Sequence, residues 1–172
     1  MFFWYFGVPP LLLSSGKVDY FSAAFYLRNA PVDGLAQDSV AIVRERFVSD
    51  AMQERIVVEN VTPEPVAFEL AIQVASDFAD IFAVKEHDFT LGDPLGARPL
   101  PQPATPVFDA EHAQLVIDDP DASARTQIAF SKPGNVDGGT MRYRVELEPR
   151  ACWELTTDIV PNPDERRKVA RP

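Results

Sequence analysis

Cysteine occurs once in this chain, at Cys152, so no intramolecular disulfide can form and nothing marks an oxidising compartment; the expected setting is cytoplasmic. Histidine occurs twice, as His87 and His112, and neither has a Cys or His partner at ligand spacing, which argues against a zinc site. Glycine is scarce, with 8 residues against 16 prolines, and no glycine-rich phosphate loop is present. Basic residues are outnumbered, 16 against 26 acidic, for a formal net charge of -10. Binding nucleic acid needs a concentrated positive surface to replace condensed counterions, so no nucleic-acid partner is expected. No apolar run is long enough to span a bilayer. The aromatic stretch 1–6 is cut off from Leu11 to Leu13 by Gly7 and Pro9-Pro10, and it has no charged start of the secretory kind, so no membrane association is expected.

What remains is alternation. At 172 residues the chain suits one domain, whose folding buries about 70% of the surface exposed by the unfolded chain. Between 18 and 29, Phe21, Ala23, Phe25 and Leu27 form an apolar face opposite Tyr20, Ser22, Ala24, Tyr26 and Arg28. Between 65 and 75, Val66, Phe68, Leu70, Ile72 and Val74 alternate with Ala67, Glu69, Ala71 and Gln73, after a turn at Pro63-Glu64-Pro65. Strand-length segments follow at 113–118, 123–131, 140–148 and 152–160, with a strong turn signal at 133–139. In the third of them Met141, Tyr143, Val145 and Leu147 alternate with Arg142, Arg144, Glu146 and Glu148, which makes the outer face fully charged. Thr90 to Val107 holds five prolines without periodicity and reads as a long loop. No segment holds a helical period over four turns. The fold class is therefore all-β, a large antiparallel sandwich of two packed sheets in one domain.

The segments VDYFSAAFYLRN (18–29), VRERFVSDAMQERIVVEN (43–60) and ASDFADIFAVKE (75–86) resemble, in order and spacing, the N-terminal β-domain of bacterial glycogen-debranching-type amylo-α-1,6-glucosidases, over roughly residues 11–160. The resemblance implies a supersandwich-like domain that is itself non-catalytic and packs against a downstream α/α-barrel, which supplies the carboxylate pair for glycoside hydrolysis. It also implies a glucan as a possible ligand and no cofactor. MFFWYFGVPP stands where relatives carry earlier strands with a glycine-rich polar turn and an Arg-containing segment. That leaves two readings, divergence or missing opening strands, and favours an atypical or truncated segment at 1–17, a sandwich over 18–160 with a Pro-rich loop at 90–107, and a linker or tail at 161–172.

Asp77, Asp80, Glu86 and Asp88 gather carboxylates around Phe78 and Phe82. The ordinary reading is a polar rim on a strand end; the functional one places Asp77, Phe78, Asp80 and Phe82 at the barrel interface or the glucan rim, since interfaces mix aromatic anchors with polar groups. Asp118, Asp119 and Asp121 resemble a piece of a calcium loop, but Pro120 interrupts it and the required glycine and terminal Glu do not follow, so an acidic turn is expected and no metal. No serine lies in a nucleophile elbow. Cys152, beside Trp153 in an alternating strand, reads as a buried structural thiol. Glu45 shares a strand face with Val43 and Phe47 while Arg44 and Arg46 point the other way, which calls for cross-strand pairing with Glu54 or Arg55. Two rival functions are a free-standing carbohydrate-binding module, for which two tryptophans are few, and a structural β-sandwich unconnected with sugars. Exposed apolar surface, left by an absent barrel, leads us to expect self-association of the isolated chain.

Overall fold

The computed structural model describes residues 2–5, 8–80, 82, 100–120 and 124–163, with backbone alone at 2–5 and 162–163. Twelve strands build it: β1 Phe2–Tyr5, β2 Leu11–Asp19, β3 Ser22–Arg28, β4 Val40–Val48, β5 Met52–Asn60, β6 Val66–Val74, β7 Val107–Asp109, β8 Gln114–Asp118, β9 Ala124–Phe130, β10 Asn135–Asp137, β11 Thr140–Leu147 and β12 Cys152–Pro163. They form an eight-stranded sheet, β2-β3-β4-β5-β12-β9-β8-β7, and a four-stranded sheet, β1-β6-β11-β10. All pairings among the described strands are antiparallel. The chain is all-β, a sandwich as the alternation predicts.

The alternating faces meet in one core. Leu70, Ile72 and Val74 of β6 are buried with Phe68 packed partly against them, and Met141, Tyr143, Val145 and Leu147 of β11 join them. From the larger sheet come Leu27, Ile42, Ile56, Val58, Leu115, Ile128 and Leu155. Period-2 side chains on two facing sheets produce this layer, because each strand offers every second residue to the same side.

β12 sits between β5 and β9, so the last described strand joins the β2–β5 meander to the β7–β9 unit. β2 is the opposite case. All nine of its residues are exposed, at the edge of the larger sheet, and its pairing with β3 slips at Leu12/Ser14 and Lys17/Asp19. Such irregularities bend an edge away from further pairing.

The structure adds to several of these expectations and differs from others. Within the segment expected to be atypical or truncated, 1–17, residues 11–17 form most of β2 and 2–5 pair with β6. The turn at 133–139 contains β10. Val107 belongs to β7, and Ala104 bridges Ser76, so the far part of the Pro-rich loop is tied to the sandwich; its 90–99 portion lies outside the described residues, as do Glu86, His87, Asp88, Asp121 and the tail from 164. Cys152 is exposed, not buried, because in β12 Trp153, Leu155 and Thr157 turn inward and the intervening residues turn out.

Candidate functional site

Strand ends place the charged groups. In β4 and β5 the inward positions run Val40, Ile42, Arg44 and Ile56, Glu54, so a carboxylate and a guanidinium fall on the core side. Glu54, 1% exposed, accepts from Arg44 Nε and Nη2 at 3.0 Å each and from Arg46 Nε at 2.7 Å. The Arg44 and Arg46 guanidiniums also lie 6.0 and 5.2 Å from the Phe25 ring centroid. Desolvation lowers the Arg44 pKa despite Glu54, yet a guanidinium still keeps its proton across the physiological range. On the outer face Arg55 donates to Glu45 at 2.9 Å and to Glu154 at 2.8 and 2.7 Å; its hydrogen bonds hold the Glu154 pKa below the usual carboxylate value. The cross-strand pairing expected for Glu45 is thus with Arg55, and Glu54 serves the buried pair.

The sequence-predicted residues Asp77, Phe78, Asp80 and Phe82 follow β6 in a tightly tied run. Ser76 Oγ accepts from the Phe78 N–H at 3.3 Å, Asp77 Oδ1 from the Ala79 N–H at 3.1 Å and Asp80 Oδ1 from the Phe82 N–H at 2.9 Å. Both aspartates therefore work as local turn acceptors, a habit of short polar side chains. Phe78 adopts a φ of 50°, unusual for an aromatic residue, and its side chain packs against the core. Phe82 is 70% exposed. Among these four, only Phe82 presents a large apolar group to solvent.

A second feature was not apparent from the chain. On the flank of the sandwich, the β9–β10 loop, β11 and β12 enclose an open trough of about 410 Å³ lined by Lys132, Pro133, Gly134, Asn135, Arg142, Tyr143, Arg144 and Trp153. Tyr143 and Trp153 pack at 5.2 Å between ring centroids, and the Tyr143 hydroxyl donates to the Lys132 carbonyl at 3.2 Å. Burial raises the Tyr143 pKa, so this phenol stays a neutral donor. Lys132 Nζ stands 4.9 Å from the Trp153 ring centroid. Gly134 lies so close to β11 that a Cβ would meet Met141 Sδ at 2.7 Å and the Arg142 carbonyl oxygen at 2.9 Å. The trough draws on 132–135, 142–144 and 153, segments that only the fold brings together.

Among the described residues no group of His, Cys, Asp and Glu could hold a metal ion. Asp118 pairs with Arg125 at 2.6 Å, and His112 with Asp109 at 2.8 Å. No helix among the described residues is long and apolar enough to cross a membrane.

By its strand order the structure is an antiparallel β-sandwich domain. A family model for the N-terminal domain of (some) glycogen debranching enzymes matches residues 5–158, and the chain belongs to that family. The solved structures similar to it share the fold at low identity. A provisionally named kojibiose phosphorylase from human microbiome matches with a TM-score of 0.52 at 11% identity, over 87% of this chain and 20% of that one. The Slr1438 protein from Synechocystis sp. PCC 6803 matches with 0.53 at 11%, over 91% and 66%, and a provisionally named aldose 1-epimerase from Escherichia coli K12 with 0.53 at 9%, over 91% and 69%. This chain thus spans a fifth of the phosphorylase's length. No curated protein matches it significantly.

Proposed function

We propose that this chain serves as the non-catalytic N-terminal domain of an amylo-α-1,6-glucosidase-type debranching enzyme, packing on an α/α-barrel and shaping one rim of its glucan cleft in a cytoplasmic setting. The observation that carries the reading is the family match over 5–158, joined to the apolar residues left uncovered at one end of the sandwich: Val18, Tyr20, Phe21, Phe47 and Val48. Aromatic side chains exposed together are typical anchors for a partner. Phe82, with Asp77, Phe78 and Asp80 fixing the run that bears it, is proposed as a further contact to barrel or glucan. The carboxylate pair for hydrolysis then comes from the partner domain.

The purified chain should release no glucose from limit dextrin and should bind a separately expressed α/α-barrel from the same family more tightly than maltooligosaccharides in titration calorimetry. A monomer that ignores the barrel and binds maltooligosaccharides at about micromolar strength overturns the reading in favour of a free-standing carbohydrate-binding module.

A further inference from the structure

We propose that the flank trough of Lys132, Arg142, Arg144 and Trp153 binds a sugar carrying a phosphate group. The charge balance is the first argument. On a chain of net charge -10, three of the residues lining the trough are cationic and none is acidic, although Glu69, Asp137 and Glu146 pair with the two arginines from outside it. A neutral glucan, recognised by hydroxyl hydrogen bonds and stacking, has no need of them, whereas guanidiniums and an ammonium match the oxygens of a phosphomonoester.

The partners of each cation sharpen this. Arg142 is committed on one side to Glu69 at 2.7 Å and stands 3.5 Å from Asp137, which holds its guanidinium in place. Arg144 gives only Nε to Glu146, at 2.8 Å; its side chain is 82% exposed and its terminal nitrogens bond no other described residue. Lys132 makes no salt bridge to a described residue; Glu154 feels it only at a distance, and its Nζ rests over Trp153 instead. An ammonium over an indole is held by a modest attraction. A phosphate draws it off, and the apolar face of a pyranose takes its place on the ring. The trough's volume of about 410 Å³ falls among ligand sites of roughly 300–1,000 Å³. The phosphate half of the proposal rests on the cations alone, while the sugar half rests on the family reading.

Calorimetric titration of the whole chain with glucose 6-phosphate, inorganic phosphate and glucose tests it. Glucose 6-phosphate should bind at least about tenfold more tightly than either of the others, and Lys132→Glu and Arg144→Glu should each weaken it by about tenfold or more. Both side chains are exposed, so circular dichroism should show both variants folded. Raising the salt should weaken binding, as screening requires. A phosphate-bearing glucan and the same glucan after phosphatase treatment tell polymer from free sugar phosphate as the source, and binding of either phosphorylated form, lost in the variants, supports the site. Equal binding of inorganic phosphate, equal binding of glucose, no binding at millimolar ligand, or binding indifferent to both substitutions overturns it. Such failure leaves the accessory-domain reading standing, because that reading is decided by association with the barrel.

Discussion

At the end of the sandwich where β5 passes into β6, two fully buried asparagines satisfy the loops. Asn29 accepts from the Val40 N–H at 2.8 Å and donates to the Ala30 and Ala36 carbonyls at 3.0 and 2.7 Å. Asn60 donates to the carbonyls of Glu64, Leu147 and Glu148 at 2.7, 3.2 and 3.2 Å and accepts from the Thr62 N–H and hydroxyl at 2.9 and 2.8 Å. At the opposite end, where β3 begins and β4 and β5 turn, the interior holds Glu54 with two arginines and the surface shows Tyr20, 91% exposed, beside Val18, Phe21, Phe47 and Val48. Phe21 and Phe47 stack edge to face at 5.2 Å, and Lys17 Nζ caps Tyr20 at 3.9 Å. One end saturates its buried polar groups, with Leu11 to Leu13 exposed on the edge strand beside it. The other keeps charge inside and apolar groups outside, the arrangement of a surface that gains by being covered.

The largest expected effect lies at the uncovered end. Glu54→Ala leaves two guanidiniums without their buried counter-charge and should cost about 3–5 kcal/mol in denaturant unfolding, whereas replacing Arg44 and Glu54 together by Met and Leu should be close to neutral. Equal losses from both changes would show that shape, not charge pairing, governs that end. Next comes Asn60→Ala, which takes a donor from three carbonyls, two of which keep another, and an acceptor from the Thr62 N–H, and should cost about 1–3 kcal/mol. If Asn60→Ala proves harmless, the closed end is not held by its asparagine. Thr157 tests the same contrast with the opposite sign. Its hydroxyl is buried without a partner among the described residues, directly across from Glu54 in the sheet, so Thr157→Val should raise stability by about 1 kcal/mol. Loss of stability would mean that a water bridges it to the carboxylate. The smallest change in stability should come from Phe21→Ser with Phe47→Ser, within about 0.5 kcal/mol each. Sedimentation should nonetheless show self-association of the parent chain that the double variant lacks, and an unaltered sedimentation coefficient would remove those aromatics from any interface.

Where one rule governed a segment, the sequence was transparent. β11 alternates without exception, and β6 does so but for the buried Ala71, because each has one face in the core and the other turned mostly to water. β2 escaped because both of its faces are exposed, so burial imposed no pattern on Leu11 to Asp19. β10 was hidden among Pro133, Gly134, Gly138 and Gly139, whose turn chemistry outweighs a three-residue strand. For Arg44 and Glu54 the pairing was legible and the burial was not, since polarity in a strand ordinarily marks the outer face. The 76–82 run shows the limit most clearly. Its composition suggested a rim, and no spacing reveals that Asp77 and Asp80 also accept from neighbouring backbone N–H groups. The flank trough had no signal at all, since its charged and aromatic residues are drawn from three separated segments.

The central place of β12 sets a clock on the molecule's birth. Ribosomes deliver the chain from its N-terminus, and until 152–163 emerge, β5 and β9 each wait with an open edge while the larger sheet exists only as two unjoined pieces. The pairing that unites them spans about a hundred residues of intervening chain, as in Gln53 to Asp158, and long-range strand pairing of that kind is slow. Sheet closure is thus a late, single event, and a nascent chain that stalls before Cys152 carries two sticky edges rather than a smaller stable domain.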